Sequence, residues 1–486
     1  MEDLASWVPM SRSANAPSSK PGRVLAVVCA TAFFGVLNAS AVTVILPEMG
    51  QTYAVEPGPL GWVMSIFLLT YGVAIPVYGR LSDRFGARRL YLMGMGLFGG
   101  GSLACALAPD LGSMLGARVI QALGGAAFPG LGMTLASRAF PPQQRGVALG
   151  SIAATMGVGS AIGPLAGGLI ADLMSWRLLF GISGMAVLII PVGRAVLPRE
   201  ADLSDEPLDL LGGGLLALGI SGALFALAEG SRAGWTQPWV VGAVVVAIGA
   251  LVVAALHHRR APVPFLPREL VAMGAFRRVV SMGFLTSASN LAALIGFPLL
   301  LTHENGLSPF DIGLVLVPGA IATAVMGVIA GRLADRHGAR LPTFVGASLM
   351  VIVMLGLSQY AGRSVLAVGI FAGILGAGFA LINTPLATAI STLVRPKVLA
   401  SGLSLNIMVF FVGGSFGTTL LVSVAEAGLT SAWNPLYSGT AVGFSNAFLV
   451  FAVPTAITAT LALGLPRRTA SPAATPVNQP SPSPAS

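Results

Sequence analysis

Arg118 is the one basic residue deep inside an apolar stretch of this 486-residue chain, and the chemistry open to it is narrow. A guanidinium stays charged and offers five donors with no acceptor, and in hydrocarbon such a charge is costly enough that it should face the protein interior and find a partner. On a helix, Gln121 at i+3 and Gly125 at i+7 would share its face. The simpler role for this group is a polar tie between helices. A second group lies in GRLSDRFGAR, Gly79 to Arg88, where Asp83 and Arg84 sit between the glycines Gly79 and Gly86. A carboxylate there can meet Arg side chains or the positive end of a neighbouring helix. The segment returns as GRLADRHGAR, Gly331 to Arg340, with Asp335 and Arg336, eight of ten positions being identical. In a third group, Gly159, Gly163 and Gly167 are spaced by four and make a smooth stripe for close helix approach, while Pro164 removes one helical donor.

Other chemistries are absent. Asp172, Glu229 and Glu426 fall near the ends of apolar stretches, and no Asp or Glu falls near the middle of one. His257, His258, His303 and His337 lie in or beside connectors, and Cys29 and Cys105 lie inside apolar blocks, so no metal site, disulfide framework or intramembrane enzyme is expected. There is no phosphate-cradling GxxxxGK loop for a primary pump and no ring of charges for a channel. No cofactor is expected. The remaining polar residues inside apolar stretches are the cavity candidates: Asn38, Thr43, Gln121, Asn290, Asn383 and Asn406.

The elements that must position these groups follow from composition. The chain is 55% hydrophobic and only 9% charged, against about 25% charged for soluble domains. Apolar blocks of about 20 residues, the length needed to cross a bilayer, fall at 24–46, 58–78, 90–108, 112–135, 147–171, 177–196, 209–228, 238–257, 279–301, 310–331, 342–360, 364–388, 399–424 and 443–465. The fold expected is an all-α polytopic membrane protein with fourteen spans. With a cytoplasmic N-terminus, 23 of the 27 Lys and Arg fall in cytoplasmic segments, as the positive-inside rule requires. The net charge of +9 is then topological, and no nucleic-acid partner is implied. Both termini are expected to be cytoplasmic, in the plasma membrane. The Ser/Pro/Ala-rich tail, 466–486, is expected to be disordered.

The decapeptides are 252 residues apart and enclose eight spans. A repeat of this kind marks secondary transporters, whose substrate site lies between the two halves. The expected organisation is a cytoplasmic segment 1–23, a six-helix bundle 24–196, a linker with helices seven and eight at 197–278, and a second six-helix bundle 279–465.

These features resemble the major facilitator superfamily, and the span count resembles its fourteen-span drug:proton antiporters. The resemblance is carried by the Gly79–Arg88 loop, by Arg118, Gln121 and Gly124, and by Gly150, Gly159, Gly163, Pro164, Gly167 and Gly168 in the fifth span. It implies export of an amphipathic drug or antibiotic, in exchange for protons, by a monomer in the lipid bilayer. It makes the Asp83 and Asp335 loops gating latches, ties Arg118 to proton transfer with Asp83 as a second candidate, and makes the fifth-span glycines an antiporter motif. The runs RVIQALGGAAFPG and GLSLN further resemble fourteen-span tetracycline efflux proteins. Those proteins carry acids at positions aligned with Ala39, Ser160 and Gly413, all neutral here, and related drug antiporters carry one where this chain has Asn38. The alternatives are an exporter of an endogenous natural product and a nutrient symporter of the same fold. The antiporter motif disfavours the symporter.

Overall fold

The computed structural model describes residues 21–55, 60–199, 209–307, 309–425 and 431–465. Glu426, most of the segment 1–23 and the tail 466–486 lie outside the described residues, as do the side chains of Thr43, Pro164 and Asp172. Every long described helix arises from an apolar run, and no strand occurs among the described residues.

The first half holds α1 (Pro21–Tyr53), α2 (Trp62–Phe85), α3 (Ala87–Leu107), α4 (Leu111–Gly125), α5 (Ala127–Ala139), α6 (Arg145–Leu173), α7 (Trp176–Gly184) and α8 (Ile190–Val196). Two further long helices follow, α9 (Leu210–Ala233) and α10 (Pro238–Arg260), and then the short α11 (Arg268–Ala272). The second half holds α12 (Gly274–Asn305), α13 (Pro309–His337), α14 (Arg340–Tyr360), α15 (Val365–Leu393), α16 (Leu399–Ala425) and α17 (Val442–Leu463). Among the described residues thirteen spans, one of them α4 with α5 and another α7 with α8, are long and apolar enough to cross a membrane. Helix α6, 29 residues long, runs between α5 and α7.

Three of the expected spans differ in detail. The first helix continues past Pro47 to Tyr53. The fourth span is two helices meeting at Ala126, where Gly94 and Gly124 bring the backbones of α3 and α4 so close that a Cβ on Gly124 would lie 2.6 Å from the Gly94 carbonyl oxygen. The sixth is broken by a 3-10 segment, Met185–Ile189. Apolar blocks show that a chain segment crosses the membrane but carry no signal for such breaks.

Lipid is as apolar as leucine, so packing between helices depends on close backbone approach through small residues. The main pairs are α1 with α6 and α3 with α4 in the first half, and α12 with α16, α13 with α15 and α14 with α17 in the second. Across the halves, α6 packs on α13 and α2 on α16. The basic connectors gather at one end of the bundle: Arg138 donates to the Pro396 carbonyl (3.1 Å), Arg145 to the Ser391 carbonyl (2.8 Å), and Arg88 to the Arg194 carbonyl. This end is called the basic face below.

Asp209 caps α9 at that face, accepting from the amides of Gly212 (2.8 Å) and Phe265 (3.0 Å) and pairing with His257 Nε2 (2.9 Å). Burial pushes its carboxyl up, but these hydrogen bonds outweigh it and hold the group below the usual carboxylate range. A depressed carboxyl stabilises the fold at neutral pH and loses that contribution as pH falls below about 4. Thermal unfolding followed between pH 6 and pH 3 should therefore show a loss of stability that is smaller in Asp209→Asn.

Candidate functional site

Arg118 is 0% exposed. It lies seven residues into α4, about 10 Å from that helix's start at the helical rise of ~1.5 Å per residue. Its Nε donates to the Val63 carbonyl of α2 (3.1 Å), and its Nη1 to Asn38 Oδ1 of α1 (3.2 Å) and to Gln121 Oε1 (2.6 Å). The network continues outward: Asn38 Nδ2 donates to Ser183 Oγ of α7 (2.9 Å) and Gln121 Nε2 to Ser102 Oγ of α3 (2.7 Å). The guanidinium also stands over the Phe67 ring, 4.2 Å from its centroid. Five helices therefore meet through one cation whose hydrogen-bond acceptors are all neutral. Among the described residues no carboxylate pairs with Arg118, so this low-dielectric site keeps a net positive charge. Asn38 and Gln121, two of the expected cavity residues, both accept from Arg118. A separate apolar cluster including Val42, Ile45, Met49, Met114, Trp176 and Phe180 packs these same helices toward the end opposite the basic face.

At the basic face the two copies of the decapeptide perform one task in two ways. The carboxylate of Asp335, on α13, accepts from the amides of Gly146 (2.8 Å) and Val147 (2.9 Å) at the start of α6. It therefore caps a helix of the other half, where the helix dipole favours negative charge. Asp83, buried on α2, accepts a short hydrogen bond from Ser401 Oγ near the start of α16 and lies 3.8 Å from Arg80 Nη1. Each acid thus reaches from its own half to the N-terminal turn of a helix in the other. Arg84 and Arg336 are exposed, and Arg88 is tied to the Arg194 carbonyl. Gly86 and Gly338 hold the equivalent turns at φ 86° and 77°, a region costly for any residue with a Cβ.

Glycines bring the halves together around these contacts. A Cβ on Gly150 of α6 would collide with the Gly327 carbonyl of α13, and one on Gly331 with the Gly146 carbonyl. On the other seam, a Cβ on Gly79 of α2 would lie 2.7 Å from Ser404 Cβ of α16. The stripe Gly159, Gly163 and Gly167 points elsewhere, onto α1: a Cβ on Gly163 would lie 3.0 Å from the Leu37 carbonyl and one on Gly167 2.8 Å from that of Ala41. Gly413, with Phe284 O at 2.5 Å, and Gly417, against Ala288 O, repeat this contact between α16 and α12. The fifth-span motif therefore divides its work, sealing the halves with Gly150 and fixing α6 to α1 with the stripe, while Gly168 makes only an ordinary contact with Val44.

Removing the Asp335 carboxylate leaves two amides without their acceptor, at about 1–3 kcal/mol for each buried unsatisfied group. Asp335→Ala is expected to open the basic face, read as roughly tenfold or more faster maleimide labelling of Ser404→Cys in a chain lacking Cys29 and Cys105.

Further polar atoms await partners. Asn406 Oδ1, Ser404 Oγ, Thr286 Oγ1, Ser287 Oγ and Thr384 Oγ1 are buried without a hydrogen bond, all on α12, α15 and α16. Asn290 and Asn383 are half-buried on α12 and α15 and have no hydrogen-bond partner among the described residues. The second half therefore presents a group of unsatisfied polar atoms on α12, α15 and α16, whereas Asn38, Gln121, Ser102 and Ser183 of the first half are joined in the Arg118 network. An aromatic series that sequence reasoning missed joins the two. Phe67 stacks on Tyr71 (5.6 Å), Tyr71 meets Phe411 of α16 edge-on (5.3 Å), and the series runs on through Phe410 to Phe379 of α15 (5.9 Å). Nothing in single-sequence spacing relates rings on three helices. Glu48 was also missed, because Pro47 reads as the end of the first span. It lies inside α1, with Oε1 accepting from the Trp176 amide (3.4 Å) and Oε2 buried without a partner.

Comparison with known proteins follows the same outline. The sequence model of the Major Facilitator Superfamily matches residues 28–210 and 208–418. The chain is 30% identical to the multidrug resistance protein Stp of Mycobacterium tuberculosis over 412 residues, 82% of this chain and 75% of that one. It is 26% identical to the lincomycin resistance protein LmrB of Listeria monocytogenes over 412 residues, 84% of this chain and 87% of that one. Among solved structures, the human organic anion transporter MFSD10 superposes with a TM-score of 0.68 at 14% identity, covering 91% of this chain and 99% of that one. The proton:xylose symporter XylE superposes with a TM-score of 0.66 at 13% identity, covering 92% and 96%.

Proposed function

The chain belongs to the major facilitator superfamily, and on that premise we propose that it is a secondary active exporter, moving an amphipathic drug or antibiotic outward by alternating access in exchange for protons. The observation that carries this reading is the double seal at the basic face. Asp335 on the α6 amides and Asp83 on Ser401 are contacts between halves, and alternating access needs contacts that exist in one state and break in the other. The drug class draws support from relatives named for multidrug and lincomycin resistance. We take α6 as a fourteenth span, which makes the basic face cytoplasmic with both termini on it, in the plasma membrane. The organisation is then two six-helix bundles with α9 and α10 inserted, acting as a monomer.

In this reading the apposed halves form the outward-open state, and protons arrive from the side opposite the basic face. Arg118 is the coupling residue without an acid of its own: a positive charge held on neutral dipoles responds to any proton or substrate that enters the same low-dielectric space. Glu48 and Asp83 are the acids placed to hand a proton on. Asn290, Asn383 and Asn406, with the ring series from Phe67 to Phe379, offer a surface of apolar faces and a few polar groups, the composition of a small-molecule site. Transport rather than catalysis is the activity.

The test uses inside-out vesicles with an acidic interior, in which internal pH is followed as tetracycline with magnesium, lincomycin or a lipophilic cation is added. Proton release triggered by one of them supports antiport and names the class. Uptake of labelled drug with no proton movement would contradict proton exchange.

A further inference from the structure

The connector after α10 is the most basic in the chain, with Arg259, Arg260, Arg268, Arg277 and Arg278 within twenty residues. Helix α10 leads to it along an exposed apolar stripe, Val241, Val245, Ile248, Val252 and Leu256, which ends at Arg259 one turn on. Beside that stripe, between α9 and α10, opens a pocket of about 320 Å³. Its walls are apolar (Leu216, Leu251, Ala254, Ala255, Phe265, Val271), and His257, His258, Arg259 and Asp209 stand at one end. The Asp209 carboxylate accepts from two amides and pairs with His257, so both its oxygens are engaged within the protein. Arg268 donates to the carbonyls of Arg259 (3.3 Å) and Ala261 (2.6 Å), which holds a second guanidinium at the rim. Arg259 and Arg260 are exposed, and among the described residues their side chains make no ion pair or hydrogen bond.

The two parts of this site ask for one ligand. A soluble anion has no use for an apolar groove, and a neutral lipid has none for a cluster of guanidinium groups at its mouth. Basic pockets between membrane helices suit anionic lipid headgroups. We propose that the pocket binds an anionic phospholipid, its phosphate against Arg259, Arg260 and Arg268 and an acyl chain in the groove of Leu216, Leu251 and Ala255. The pocket lies at the start of α9, and further along, the same helix touches both halves: Phe225 packs on Trp62 of α2 (5.9 Å), and the Leu227 carbonyl accepts from Thr419 Oγ1 of α16 (3.1 Å).

The experiment is native mass spectrometry of the full-length protein, stripped of lipid in detergent and titrated with phosphatidylglycerol or with phosphatidylcholine of the same chains. Phosphatidylglycerol is expected to be retained about tenfold more tightly or better. The Arg259→Gln/Arg260→Gln variant should lose that preference and keep its phosphatidylcholine binding. Ala255→Trp, which fills the groove and leaves the charges, should weaken phosphatidylglycerol binding by a similar factor, and it tests the site independently of how the double variant folds. Equal retention of the two lipids, or phosphatidylglycerol binding unchanged in Ala255→Trp, would overturn the proposal. Displacement by glycerol phosphate would overturn it too, marking a soluble-anion site.

Discussion

Replacing Gly331 by leucine is expected to reduce transport about a hundredfold while leaving the protein inserted and monodisperse. A side chain at this position meets the Gly146 carbonyl of α6, and a backbone oxygen at a helix contact cannot rotate away as a side chain can. Overpacking a tight contact costs about 1–3 kcal/mol or somewhat more. Inside one half, such a strain would lower stability. Here it falls between the halves, so the protein escapes it by keeping them apart at the basic face, and each 1.4 kcal/mol shifts that equilibrium about tenfold. Gly150→Leu, which meets the Gly327 carbonyl, should behave alike, whereas Gly163→Leu should lower thermal stability, because it separates α6 from α1 within one half. Vesicle uptake, maleimide labelling of Ser404→Cys and melting temperature together separate the outcomes. Near-normal transport by Gly331→Leu would mean that the α6–α13 contact does not close during the cycle.

The second large effect is at Arg118. Arg118→Gln is expected to abolish accumulation against a gradient, by roughly a hundredfold or more, while substrate exchange down its own gradient persists. Glutamine keeps a donor near Asn38 and Gln121 but removes the charge, so a purely structural tie would be partly conserved and both activities would fall together. If the charge couples protons to substrate, only the uphill activity depends on it. Arg118→Lys keeps the charge but loses the fork that reaches Val63, Asn38 and Gln121 at once, because an ammonium is a point charge on a flexible stem. It should retain part of the uphill transport. Equal loss of exchange and uphill transport in Arg118→Gln would assign Arg118 to the scaffold.

The sequence makes some of this legible and hides the rest for physical reasons. Span positions could be read because a bilayer imposes length and apolarity on every crossing segment, and the repeat because Asp83 and Asp335 sit in nearly identical decapeptides. The partners of these acids could not be read. Ser401 and the amides of Gly146 and Val147 lie far from their acids in the chain, and a backbone amide has no residue identity to detect. The glycine motif showed that close approaches occur but not between which helices, and only the structure places the stripe on α1. Asn38 and Gln121 have the polarity of cavity residues, and only the position of Arg118 shows that their hydrogen-bonding capacity is used. Asn406 has the same polarity and keeps its oxygen unpartnered.

The most direct test of alternating access is a distance across the basic-face seal. Arg138 reaches the Pro396 carbonyl, so spin labels at positions 138 and 397, in a chain lacking Cys29 and Cys105, report that seam by pulsed electron paramagnetic resonance. In reconstituted protein two populations are expected, a short distance matching the closed seam and a longer one, with their ratio shifting when the pH is changed or a transported drug is added and the long one dominant in Gly331→Leu. A single short distance under every condition, with transport intact, would contradict it.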